Sequence, residues 1–335
     1  MTKPFKVLWI QSGGCGGCSM SVLNAESPDF YQNLKHNNIE LLWHPSFSEA
    51  SGEEYLQLIS QIETGEISLD ALCLEGSVMQ GPNGTGRFHF MRSRNQPMFE
   101  MIKMLAQKAR YSIAIGSCAA FGGITMAGVN LAEACGLQYE GEEKSGLLGS
   151  EWESSGELPV INISGCPTHP NWVINTLAQL AAGDLTSEHL DRYNRPRSYT
   201  NHLVHHGCPR NEYYEYKASA TKASEQGCLM EHLGCMGTLA RADCNTQLWN
   251  GDGSCLRGGY ACINCTAPGF EEPRHSFTQT PKIAGIPIGL PIDMPKAWFV
   301  ALSSLSKAAT PKRLKVNAAS DHILISPGMK KREPK

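Results

Sequence analysis

The stretch Phe5-Lys-Val-Leu-Trp-Ile-Gln-Ser-Gly-Gly-Cys-Gly-Gly-Cys-Ser19 decides the fold. Phe5 to Gln11 is a short apolar run that predicts a buried strand. Glycines 13, 14, 16 and 17 end the run, and a helix start is expected over residues 19–26. Cys15 and Cys18 sit in the turn between them. In open α/β sheets, ligands gather beyond the carboxyl ends of strands, where such a turn lies.

Outward from this unit the alternation continues. Strands are expected at 39–44, 69–74, 111–116 and 158–163, and helices at 52–63, 98–110 and 171–182. Met98, Ile102, Leu105 and Ala106 share one face of the 98–110 helix. Strands alternating with helices predict an α/β fold with a parallel, doubly wound sheet. Residues 79–97, with Gly81, Pro82, Gly84, Gly86 and Pro97, and the acidic, glycine-rich residues 136–157 are expected to be loops. From about residue 190 the periodicity weakens and cysteine density rises. Such a segment cannot easily build an apolar core and is expected to fold around bound metal. The division expected is a first domain over 1–185, an irregular domain over 186–305 and a basic tail over 306–335. The tail carries Lys307, Lys312, Arg313, Lys315, Lys330, Lys331, Arg332 and Lys335 against Asp321 and Glu333. It reads as a solvated run, with docking of a partner as the sharper alternative.

Composition narrows the function. The chain has 335 residues, 41% of them hydrophobic, enough for one large or two ordinary domains. A net charge of −3 argues against nucleic acid or a membrane surface as partner. No run approaches the roughly 18 apolar residues of a membrane span. The opening residues carry neither a charged segment before a long apolar stretch nor a twin-arginine signal, so a cytoplasmic location is expected. In a reducing compartment, thirteen cysteines point to metal or redox chemistry rather than disulfides.

Four cysteines fall at one kind of place. Cys15 and Cys18 follow the first strand, Cys118 follows the strand ending near Ile115, and Cys166 follows the strand ending near Ile163. Three loops can therefore deliver four thiolates to one sheet edge, and flanking glycines let backbone approach a bulky inorganic core. The Cys-x-x-Cys pair alone also fits a redox dithiol or half a zinc site. The second half supplies His205, Cys208, Cys228, Cys235, Cys244, Cys255, Cys262 and Cys265. Together the twelve make three sets of four. Cys73, in an apolar strand, and Cys135 are left over and read as small buried residues. Zinc also takes four Cys or His ligands, so a zinc-stabilised interaction protein stands as a rival.

These residues closely resemble the small subunit of nickel–iron hydrogenases. The resemblance is carried by Cys-Gly-Gly-Cys-Ser at 15–19, Glu-Gly-Ser at 75–77, Gly-Ser-Cys-Ala at 116–119 and Gly-Cys-Pro at 165–167. It continues through His205-x-x-Cys208-Pro209, Cys228 to Cys235, Cys244 and Cys262-x-x-Cys265-Thr-Ala-Pro-Gly-Phe270, over roughly residues 5–300. It implies a flavodoxin-like first domain, an irregular cluster-binding second domain and a row of three iron–sulfur clusters. Cys15, Cys18, Cys118 and Cys166 would hold the proximal 4Fe–4S cluster, with Glu75 near it. His205, Cys208, Cys228 and Cys235 would hold the distal 4Fe–4S cluster, and Cys244, Cys255, Cys262 and Cys265 the medial one. The nickel–iron centre, and with it the hydrogen-splitting residues, belongs to the large subunit, so this chain would carry electrons and no catalytic residue.

Departures from the family pattern carry their own expectations. Many relatives have proline where Cys255 stands and hold a 3Fe–4S medial cluster; a fourth thiolate here implies 4Fe–4S. Gly17 and Gly123 occupy the places of two extra cysteines found in some oxygen-tolerant relatives, which argues against a six-cysteine proximal cluster. Gly14 stands where many relatives have glutamate, which puts a proton route through that carboxylate in doubt. The Cys228–Cys235 loop is one residue longer than the family spacing, with His232 as the substitute ligand if Cys235 fails. The stretch from Ile286 to Phe299 is similar to the cytoplasmic group of hydrogen sensors and uptake enzymes. The partners implied are the large subunit, a homo-oligomer of such heterodimers, and an electron acceptor or a sensor histidine kinase. A rival within reach is the cluster subunit of a quinone-reducing respiratory complex, which would share the first domain alone.

Overall fold

The computed structural model describes residues 3–272, 277–283, 286–287, 290 and 295–327. The chain divides into two compact units. The first takes Met1–Asn201, Trp249–Gly251 and Cys265–Glu272, and the second takes His202–Leu248, Asp252–Asn264 and Pro273–Lys335.

The first unit is built on five parallel strands, β1 (Phe5–Gln11), β2 (Ile39–Trp43), β3 (Leu69–Glu75), β4 (Ala109–Ile115) and β5 (Ile161–Ile163). Their order is β2-β1-β3-β4-β5, the flavodoxin-like arrangement. Leu72, Cys73, Leu74, Ile113, Ala114 and Ile115 are fully buried, so the inner strands read as apolar runs rather than alternating ones. Gln11 pairs with Glu75, Glu75 with Ile115, and Ile115 with Ile163. The strands that precede the cysteine loops therefore end level.

Helices cover the sheet: α1 (Gly17–Val22), α2 (Phe30–His36), α3 (Gly52–Thr64), α4 (Met98–Lys108), α5 (Gly116–Phe121) and α6 (Pro170–Ala182). Ser51 and Glu54 form a reciprocal capping box at the start of α3, and Gly65 closes its end in the left-handed conformation. The α4 face expected from sequence is the buried one, with Met101 added. Its burial against Leu72, Leu74 and Ala114 forms the main core.

Three expectations need correction. Residues 79–97 contain a short hairpin, Phe90–Met91 with Gln96–Pro97. Residues 136–157 form a loop, as expected, but not an excursion from the core, since Leu137, Gln138, Tyr139 and Leu147 are buried. Gln138 holds this segment by accepting from Val160 N at 3.2 Å and Asn194 Nδ2 at 3.0 Å. The first unit also runs past residue 185 to Asn201. Asn162 N donates to Asn194 O at 2.9 Å, and Arg195 pairs with Asp191 at 2.7 Å and donates to Thr266 O at 2.7 Å.

The second unit has little regular structure. Its helices are the short turn Asn211–Glu215, α7 (Lys296–Ala309) and α8 (Lys312–Ala318). Ala218, Leu314 and Ala318, flanked by Tyr213 and Tyr216, form a small apolar cluster there. The basic segment is thus no uniformly solvated tail. Leu314 is buried, Arg313 pairs with Glu212, and Lys307 pairs with Glu231 at 3.0 Å. Lys330, Lys331, Arg332, Glu333 and Lys335 lie outside the described residues, as do 288–289 and 291–294 of the stretch likened to the cytoplasmic group.

Candidate cluster sites

The first candidate site lies at the carboxyl edge of the sheet. The β1–α1 turn carries Cys15 and Cys18, the first turn of α5 carries Cys118, and Cys166 follows β5. Cys15 and Cys166 open to the surface, Cys118 is half-buried and Cys18 is buried. Burial pushes the Cys18 thiol well up, and the charges of Glu75, Cys118 and Cys166 add to it. Enclosure of their sulfurs pushes Cys118 and Cys166 up to about 11, and each also responds to Cys15. Cys18, Cys118 and Cys166 thus sit where burial resists free thiolates, and a cationic iron core would reverse that preference.

Two glycines keep room around the sulfurs. Gly116 has φ +83°, and a Cβ there would stand 2.5 Å from Cys18 Sγ. Gly123 has φ +58°, and a Cβ there would stand 2.8 Å from Cys118 Sγ. Both positions combine a left-handed backbone with a space that a side chain would fill. The donor set and this cradle fit a four-thiolate cluster.

Glu75 ends β3 and is buried behind the cysteine turn. Its Oε1 accepts from Cys18 N and Ser19 N, each at 3.0 Å. Its Oε2 accepts from Ser19 Oγ at 2.5 Å and from Trp9 Nε1 and Gln11 Nε2 at 3.1 Å each. Glu75 therefore caps the start of α1 and fixes the turn that presents the first two cysteines. Behind it, His44 Nδ1 accepts from Ser46 N at 3.0 Å. Its Nε2 must then carry the hydrogen and donate to Ser19 Oγ at 3.0 Å. Burial holds His44 down to about 4, against the pull of Glu75. Sequence reasoning singled out Glu75 but missed Trp9, Gln11, Ser19 and His44, whose only signal was their position on or beside strand ends.

The return segment is held by hydroxyls. Ser117 Oγ accepts from Gly165 N at 2.9 Å and donates to Cys265 O at 2.5 Å. Ser164 Oγ donates to Thr266 O at 2.8 Å.

In the second unit, His205, Cys208, Cys228 and Cys235 line one pocket. Arg210, Tyr214, Leu229, Met230, Gly237, Thr238 and Leu256 complete it. Backbone pairing brings the segments together: His205 N donates to Gly237 O at 2.9 Å and Cys228 N to Ala218 O at 3.0 Å. Burial pushes Cys208 up to about 11 and Cys228 up to about 12, and raises Cys235 as well. The donor chemistry fits a cluster held by three thiolates and one imidazole. His232 is outside this pocket; its side chain is 38% exposed and stands beside Glu231 and Lys282. Gly234, φ +73°, directly precedes Cys235, which lines the pocket where His232 does not.

The remaining candidates divide between the units, with Cys244, Cys255 and Cys262 in the second and Cys265 in the first. Backbone bonds Met236 N to Cys262 O at 2.7 Å and Tyr260 N to Cys255 O at 2.9 Å anchor two of these loops. Cys73 and Cys135 are buried, in β3 and in a short strand paired with Val78–Met79. Among the described residues, no three His, Cys, Asp or Glu side chains are arranged to hold a single metal ion. Among them, too, no helix is long and apolar enough to cross a membrane.

Comparisons with known proteins reach both halves of the chain. Residues 15–180 match the family described as NADH ubiquinone oxidoreductase, 20 Kd subunit. Residues 200–278 match the C-terminal family of NiFe/NiFeSe hydrogenase small subunits. The chain is 35% identical to the F420 non-reducing hydrogenase I small subunit of Methanosarcina mazei, over 86% of this chain and 78% of that one. It is 30% identical to the periplasmic [NiFeSe] hydrogenase small subunit of Desulfomicrobium baculatum, over 82% and 87%. Its fold matches the actinobacterial-type NiFe-hydrogenase from Ralstonia eutropha with a TM-score of 0.75 and 28% identity, over 93% of each chain. A strand-edge thiol site, a histidine-bearing pocket and relatives that span both units lead to one assignment: the chain belongs to the small subunits of NiFe hydrogenases, the electron-transfer partners of the large subunit that carries the catalytic centre.

Proposed function

We propose that this chain carries electrons from hydrogen oxidation at the large subunit along three 4Fe–4S clusters, in a cytoplasmic hydrogenase of the uptake or sensing kind. The observation that carries this reading is the convergence of His205, Cys208, Cys228 and Cys235 on one pocket. The respiratory 20 Kd relatives match the first half alone, and nothing in that half needs such a pocket.

Each cluster, when bound, supplies reversible one-electron chemistry. Cys15, Cys18, Cys118 and Cys166 would hold the proximal one, with Gly116 and Gly123 leaving it room. Cys244, Cys255, Cys262 and Cys265 are the proposed medial ligands, and Cys255 supplies the thiolate that makes this cluster 4Fe–4S. Three cysteines and His205 would hold the distal one. A neutral imidazole in place of a thiolate raises the local potential, which suits the exit end of a relay. Glu75 orients the Cys15–Cys18 turn rather than reacting. The electron acceptor, or a sensor histidine kinase, would meet the complex at the distal end. The F420 non-reducing hydrogenases among the relatives favour turnover over sensing.

The test is purification with the large subunit, followed by metal and sulfide counts and hydrogen-dependent dye reduction. Three such clusters give about twelve iron and about twelve labile sulfide on this subunit. Zinc in place of iron, or an iron count matching one cluster, would overturn the reading.

A further inference from the structure

We propose that Arg210 and Lys217 form a fixed cationic wall behind the distal site and raise the reduction potential of the cluster held there. This inference rests on the cluster reading of the pocket given above. Arg210 lines that pocket, and its N–H donates to Cys208 Sγ at 3.4 Å. Its guanidinium is stapled in place: Nη1 donates to Glu225 O at 2.6 Å and Gly227 O at 2.7 Å, and Nε to Leu256 O at 3.4 Å. All three acceptors are neutral carbonyls. Among the described residues Arg210 forms no ion pair. The Glu225 carboxylate is turned to Thr221 N and Lys222 N instead.

Lys217 supplies the second charge. Its Nζ stands 3.7 Å from the centre of the Tyr214 ring, which meets the His205 ring edge-on at 4.4 Å. The cation thus backs the aromatic ring that packs on the one non-cysteine ligand. Glu215 and Glu231 both act on it, and the Glu231 carboxylate also accepts from Ser219 Oγ and Lys307 Nζ.

Reduction adds one electron, drawn from the neighbouring cluster, and moves no proton and breaks no bond. The reduced cluster carries one more negative charge than the oxidised one. A cation held in place by neutral carbonyls, as Arg210 is, favours the reduced form.

The experiment is a redox titration of the purified heterodimer followed by electron paramagnetic resonance, with iron counted in each preparation. The variants are Arg210→Gln, Arg210→Lys and Lys217→Met. Arg210→Gln with full iron is expected to shift the oxidised-to-reduced ratio at a given potential by about tenfold, equivalent to about 59 mV downward for a one-electron couple. Lys217→Met should move the same way by less, and Arg210→Lys should return close to the parent. Neutral variants that keep their iron and titrate at the parent potential would overturn the proposal. If Arg210→Gln sheds the cluster, Lys217→Met decides, because it leaves every carbonyl contact of Arg210 intact; an unmoved midpoint there also overturns it. A parent complex without a distal signal strikes the cluster reading itself, whereas a parent signal that no variant moves strikes only the cationic wall.

Discussion

The carboxylate of Glu75 accepts the backbone N–H of Cys18 at 3.0 Å, across a gap of 57 residues. With Ser19 N on the same oxygen and three side-chain donors on the other, five donors meet one charge. Glu75→Gln replaces one acceptor oxygen by an amide that faces donors. The expected result is a loss of about 3 kcal/mol in stability, since a buried charged acceptor is removed from its donors. Thermal unfolding of the heterodimer measures it, and hydrogen-dependent dye reduction should slow because the Cys15–Cys18 turn loosens. A parent-like unfolding midpoint and rate would remove Glu75 from the site.

Gly116→Ala forces a methyl to within contact of Cys18 Sγ while straining a left-handed backbone. The expected outcome is loss of about four iron per heterodimer, with the distal resonance retained. Alanine at Gly65, equally left-handed but with open space around it, should leave the iron count unchanged. This pair separates backbone strain from crowding of the sulfur.

Cys255→Pro restores the residue that many relatives carry. The preparation is expected to gain the oxidised three-iron resonance and lose about one iron, with a higher medial potential. Retention of the full iron count would show that Cys255 holds no iron.

His44 gives a pH signature. Burial holds it down to about 4 in the folded chain, against an ordinary value of 6.5. The unfolded chain therefore binds its proton first as pH falls. Stability is unaffected above 6.5 and is lost between 6.5 and 4, by roughly 3 kcal/mol at full extent. Unfolding midpoints across that range should fall steeply in the parent and less so in His44→Asn.

His232→Ala should leave the distal resonance and iron content unaltered, because this side chain stands outside the pocket. Cys235→Ala should abolish that resonance. The opposite pattern would hand the ligand role to His232.

The sheet was legible because the inner strands are apolar runs and the helices carry one-sided patterns, as α4 does. The strand-end cysteines were legible for the same reason, since their loops follow from the strand assignments. What stayed hidden was tertiary. Gln138 binds its loop to β5 and Asn194, so an acidic, glycine-rich segment that reads as surface packs inside. His44 and Ser19 meet from 25 residues apart, and no local pattern marks that contact. Leu314 draws part of a basic run into an apolar cluster that period and charge alone do not reveal. Arg210 sits two residues from a motif cysteine, yet its role depends on carbonyls contributed by residues 225, 227 and 256.

The first unit includes Cys265–Glu272, and Ser117, Ser164 and Arg195 all bond to carbonyls in that returning piece. During synthesis, the first unit therefore cannot finish until residue 272 has left the ribosome. A fragment cut at residue 201 would keep all five strands, but Ser117, Ser164 and Arg195 would lose the carbonyls that the returning piece offers them. His202–Leu248 and Asp252–Asn264 of the second unit are therefore synthesised before the first can close.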